Sequence, residues 1–184
     1  SETTVADNLT VTGTATITGG QIAFPATNVA TTNANTLDDY QEGTWTPAYA
    51  SSGATITNGS TNGGHYIKIG RQCFFQGSVG TGGSMSGGTA SNGVTVSLPF
   101  TAAGHQSGES SYNTVQFKPW LSAYTWGGDT ATLGRVNTSS AYFDLYYQDS
   151  VDSYTIPLRF DDLADDVNSP RNLAYFSGMY TIEA

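Results

Sequence analysis

Gly63-Gly64-His65-Tyr66-Ile67-Lys68-Ile69-Gly70-Arg71-Gln72-Cys73-Phe74-Phe75 is the stretch whose reading decides the fold. From His65 to Ile69 the residues alternate with the period of two that sends successive side chains to opposite faces of a strand. Gly70 ends this run. A second run starts at Arg71 and continues through Cys73, Phe74 and Phe75 to Val79. The two runs meet at Gly70-Arg71, a junction short enough to predict a β-hairpin.

The same grammar repeats on both sides. Upstream, Thr44-Trp45-Thr46 alternates and Pro47 stops the strand or puts it at an edge. Residues 54–57 form a short strand before the turn signal Asn58-Gly59. Downstream, residues 80–93 are rich in Gly and Ser and predict a mobile loop, and 104–111 predict another. Strands are expected at 94–98, 115–117, 121–126, 131–136, 141–147, 153–158 and 173–182, with Gly127-Gly128-Asp129 as a turn. The acidic run 161–166 reads as one helical turn. About ten short strands at roughly 8–12-residue spacing predict an all-β chain, a β-sandwich or jelly-roll-like head.

Composition agrees. Among 184 residues the hydrophobic share is 38% and the charged share 11%, while Gly numbers 22. Tyr (11), Phe (8) and Trp (3) supply core material that a disordered chain would lack.

Residues 1–36 are different. Leu9, Val11, Gly13, Ala15 and Ile17 alternate with Thr10, Thr12, Thr14, Thr16 and Thr18, a weakly apolar face against a hydroxyl face. A lone strand of this kind is unstable in water. Its small inward residues suit close approach of several backbones, so an intertwined threefold β shaft is expected. Residues 26–36 read as an extended connector. The predicted division is 1–36 shaft and connector, 37–184 head.

Charge limits the partners. The formal net charge is -9 with six Lys+Arg in the chain, too few cations for a nucleic-acid or anionic-membrane surface. No apolar run approaches the ~20 residues of a membrane span, and the first residues lack the basic and apolar regions of a signal peptide. The single Cys73 forbids an intrachain disulfide and reads as a buried, inert thiol. One Cys and two His exclude a zinc-site pattern, and the acidic residues lack a calcium-loop spacing. His65 and His105 stand beside no nucleophile-elbow motif. Neither a metal nor another cofactor is expected.

Leu37-Asp38-Asp39-Tyr40-Gln41-Glu42-Gly43-Thr44-Trp45-Thr46-Pro47 resembles a segment of bacteriophage tail-fibre and tail-spike proteins that opens a β-rich C-terminal head. Tyr66-Ile67-Lys68-Ile69-Gly70-Arg71-Gln72-Cys73 is similar to that family's next strand pair, and Ser97-Leu98-Pro99-Phe100-Thr101-Ala102 to a later strand end. Asn8-Leu9-Thr10-Val11-Thr12-Gly13-Thr14 resembles fibre-shaft repeats. These matches cover about the first hundred residues, and 103–172 resemble nothing identifiable. The resemblance implies a homotrimeric fibre-tip protein of the virion, joined to the rest of the tail through its N-terminus. Its implied partner is a bacterial surface glycan or outer-membrane receptor.

Glycan binding needs exposed aromatic faces beside carboxylates or amides. Trp120, Tyr124, Trp126, Asp129, Tyr146 and Tyr147 are the candidates, while Trp45 is assigned to the core or a trimer interface. The alternatives are a glycan-cleaving or esterase head and a purely structural virion protein. Paired carboxylates for cleavage would come from Asp144, Asp149, Asp152, Asp161, Asp162, Asp165 and Asp166.

Overall fold

The computed structural model describes residues 10–20, 22–23, 40–104, 113–119, 130–148, 155–164 and 171–182. Eleven strands follow in chain order: β1 (Tyr40–Trp45), β2 (Tyr49–Ser51), β3 (Ala54–Asn58), β4 (Gly63–Ile69), β5 (Gln72–Gly87), β6 (Val94–Ser97), β7 (Asn113–Pro119), β8 (Leu133–Val136), β9 (Tyr142–Gln148), β10 (Thr155–Pro157) and β11 (Arg171–Thr181). A 3-10 turn, Phe160–Asp162, falls at the start of the expected acidic turn. No α-helix occurs among the described residues, so none there is long and apolar enough to cross a membrane. The chain is all-β.

The strands form one antiparallel sheet in the order β1-β4-β5-β11-β7-β8-β9-β6-β2, with β10 added to β9 and β3 to β5. It curls into a half-barrel. Asn58, at the end of β3, draws the curl in. Its side-chain oxygen accepts from the Tyr49 N–H at 2.6 Å, and its amide donates to the Tyr49 carbonyl at 3.2 Å.

The expected hairpin is β4–β5, paired from Gly63↔Ser78 to Ile69↔Gln72. The expected loop at 80–93 is corrected. β5 continues to Gly87, because β3 lies alongside and accepts this half of the strand, Ala54↔Gly87 and Ile56↔Met85. Composition describes a segment's own preference; here the hydrogen bonds come from a strand some thirty residues earlier.

Rings fill the concave side. Phe75 lies 5.5 Å from Tyr180 and 6.1 Å from Phe176 between centroids, and Phe143 lies 5.4 Å from Phe176. Trp45 meets both Phe75 and Phe176 at 6.1 Å and donates its indole N–H to the Ser97 carbonyl at 3.3 Å. Trp45 thus packs against the core. Its cross-strand partner is Gly64, where a Cβ would stand 2.3 Å from the indole. The neighbouring pair is reciprocal: Tyr66 covers Gly43, where a Cβ would stand 2.6 Å from the phenol oxygen. Each glycine supplies the space its partner's ring occupies.

Buried polar groups fix the remaining joins. Tyr180 donates to the Phe100 carbonyl at 2.9 Å and accepts from the Phe100 N–H at 3.0 Å; burial pushes its phenol pKa far upward. Asn172 is fully buried, with its backbone at φ 50, in the left-handed region that asparagine tolerates. Its amide donates to Thr81 Oγ1 at 3.0 Å and to the Ala164 carbonyl at 3.1 Å, and its oxygen accepts from the Ala164 N–H at 2.8 Å. Cys73 is buried, as expected, and burial raises its thiol pKa. That disfavours the reactive thiolate.

Candidate functional site on the outer sheet face

The alternation of β4 fixes which side chains leave the core. Gly64, Tyr66 and Lys68 point inward, and His65, Ile67 and Ile69 point out. Lys68 is only 6% exposed, with Nζ 5.4 Å from the centre of the Phe100 ring. Ile67 is 43% exposed on the convex side. A one-residue slip would exchange these faces. The observed register is held by the two ring–glycine pairs, which require Gly64 and Tyr66 on the inner side.

Four strands then place their outward residues in rows. His65 pairs with Gln76, Gln76 with Ser177, and Ser177 with Gln116. This polar row crosses β4, β5, β11 and β7. One step along the strands lies a second row, Gly63, Ser78, Tyr175 and Lys118. Tyr175 is 46% exposed. Together the two rows line a shallow depression of about 530 Å³. On the other side of the polar row stand Ile67, Phe74 and Met179, and a neighbouring depression of about 580 Å³ spans the boundary.

The polar half has defined chemistry. Each glutamine amide offers donors and an acceptor, the Ser177 hydroxyl does both, and Lys118 adds a cation. Tyr175 offers an aromatic face. Such a set suits a polyhydroxylated ligand lying across the strands, with hydroxyls on the amides and C–H groups on the ring.

Of the residues expected at a glycan site, Trp120, Tyr124, Trp126 and Asp129 lie outside the described residues. Tyr146 and Tyr147 are described, and adjacent positions on β9 send them to opposite faces. Tyr147 is partly buried against the core. Tyr146 faces out, but the Arg135 guanidinium covers its ring at 4.8 Å and also donates to Thr155 Oγ1 at 3.2 Å. These two rings therefore do not form one platform. Sequence reasoning missed Gln76, Gln116, Tyr175 and Ser177. Their signal is outward alternation on β5, β7 and β11, which becomes a row only once three distant strands are placed in register.

Asp144, Asp161 and Asp162 are the described members of the acidic set. Burial holds the Asp144 carboxyl above its usual range, while the hydrogen bond from the Asn137 amide pulls it down. Asp162 accepts from the Arg159 N–H at 2.8 Å and caps the 3-10 turn. Among the described residues no group of three His, Cys, Asp or Glu side chains is placed to hold a metal ion. Comparison with protein-family models, with curated proteins and with solved structures found no match to this chain.

Proposed function

We propose that this chain is the host-recognition part of a bacteriophage tail fibre or spike, a homotrimer whose heads adhere to a glycan or other receptor on the bacterial surface. The single observation that carries adhesion is the outward polar row His65-Gln76-Ser177-Gln116 with Tyr175 and Lys118 beside it. These groups suit hydroxyls and sugar faces, and the reading is of binding. The phage assignment rests on the resemblance of residues 37–47, 66–73 and 97–102.

In this reading residues 1–36 are the trimeric shaft and connector, and 37–184 are the head, a sandwich or jelly-roll completed from the curled sheet. The N-terminus joins the tail, and the head stands outside the virion. Three weak sites on one particle act together, so avidity compensates for modest single-site affinity.

The test is an array of purified bacterial surface polysaccharides probed with the parent, Gln76→Ala/Tyr175→Ala and Trp120→Ala/Trp126→Ala. At least one polysaccharide should bind the parent and lose tenfold or more affinity with the first variant. Equal binding by parent and first variant, with loss in the second, would move the site to residues 120–129. Parent bound to nothing on cells or array would remove the adhesion reading. New reducing ends or released acyl groups would replace it with a hydrolase.

A further inference from the structure

We infer that the ligand of the outer polar row is an acidic glycan, whose carboxylate or phosphate lies beside Lys118 at the β7–β11 end of the row. The inference rests on the adhesion reading and narrows its ligand from glycans in general to anionic ones.

The distribution of charge carries it. The chain holds 15 Asp+Glu against six Lys+Arg, so its surface as a whole repels an anionic polymer. The two outer depressions reverse that balance. Their linings include Lys118 and His65 and no carboxylate. The described strands carry two carboxylates, and both stand away from Lys118. Glu42 is on β1, four strand positions along the sheet, about 19 Å at the spacing of paired strands. Asp144 is on β9, opposite Arg135 and bonded by the Asn137 amide.

The cations are just as unevenly used. Lys68 is buried against Phe100, Arg71 donates to the Ile182 carbonyl, and Arg135 covers Tyr146. Lys118 is exposed, and among the described residues no hydrogen bond, ion pair or ring contact engages it. Salt screens the chain's overall repulsion beyond about 8 Å. Local charge therefore decides what settles on the row, and the local charge is positive.

Register gives the bound glycan a direction. Lys118 faces Tyr175 directly, and such pairs bring their Cβ atoms to about 5 Å. A sugar ring seated on Tyr175 puts an exocyclic acid group within reach of the Lys118 ammonium. From Gln116 back to His65 the row spans three strand spacings, about 14 Å, which is longer than one pyranose ring. Gln116, Ser177 and Gln76 then meet the hydroxyls of neighbouring neutral sugars. Glu42 beyond the far end disfavours an acid group there.

The test takes a bacterial polysaccharide that the parent binds, in three forms: native, carboxyl-reduced, and freed of phosphate with hydrofluoric acid. One of the two treatments should weaken the parent about fivefold per site, and which one does so tells a carboxylate from a phosphate. Lys118→Gln should lose the same factor on the native form and nothing on the form without its acid group, while Lys118→Arg keeps the parent's affinity. Equal binding of the parent to all three forms overturns the inference and leaves adhesion standing. So does Lys118→Gln binding the native form as the parent does. Should Lys118→Gln lose its β circular dichroism, salt decides with the parent alone: added salt should weaken binding of the native form, and indifference to salt overturns the inference. Gln76→Ala/Tyr175→Ala should weaken all three forms alike. A parent that binds no polysaccharide removes the adhesion reading and this inference with it.

Discussion

Phe74 and Phe75 are adjacent in sequence and belong to different surfaces. Phe75 is buried among Trp45, Phe143, Phe176 and Tyr180. Phe74 stands outside between Ile67 and Met179. The two faces of β4, β5 and β11 are both rich in apolar groups, but among the described residues the inner one is closed and the outer one is exposed. Hydrophobicity therefore does not tell a covered face from an exposed one. Closure does, and closure depends on what the rest of the chain brings over each face. The curl brings Phe143 and Phe100 over the inner side, and even Lys68 is accepted there. Among the described residues, nothing comparable fills the two depressions on the outer side.

The sharpest way to break this comparison is to shave each face in turn. Phe75→Ala should destabilise the chain by about 3–5 kcal/mol in urea unfolding, since it empties a buried, ring-lined site. Phe74→Ala should cost below about 1 kcal/mol. Equal losses at both positions would show that the faces do not differ. Gly64→Ala comes next. Its new methyl meets the Trp45 indole, and overpacking of this kind costs about 1–3 kcal/mol. An unchanged midpoint would mean that the ring–glycine pair does not set the register. Tyr180→Phe removes both hydrogen bonds to Phe100 while keeping the ring, and about 1–3 kcal/mol should be lost.

The smallest effect concerns the outward side of β9. Asp144 has a folded pKa raised by burial. Its ionised form therefore costs the folded state stability above that range. The loss is regained as pH falls through the raised value toward the ordinary carboxylate pKa of about 3.9. Asp144→Asn should melt slightly above the parent at neutral pH, with the gap closing in acid. A gap that widens in acid would contradict the sign.

Local pattern carried much of this architecture. The hairpin through Gly70-Arg71 and the last strand are legible from alternation and turn residues, and the acidic run 161–166 marks only the neighbourhood of the 3-10 turn at Phe160–Asp162. The second half of β5 is not, because Gly and Ser at 80–87 carry no strand preference of their own and owe their conformation to β3. The candidate site is harder still. Gln76, Gln116 and Ser177 are separated by many residues and meet through the register of β5, β11 and β7. Aromatic residues beside turn signals, Trp120 and Trp126 above all, draw attention in a sequence; amides in the middle of strands do not. The fate of Lys68 and Ile67 is also hidden, since alternation announces two faces without saying which is covered.

The chain contains two methionines, and they lie on opposite faces: Met85 is 8% exposed in the core and Met179 is on the outer face. Hydrogen peroxide converts an accessible methionine to its sulfoxide, and mass spectrometry of peptides reads each site separately. Met179 should oxidise at the rate of an open side chain while Met85 stays protected. Equal rates at the two sites would contradict the account, because the two faces would then be equally covered.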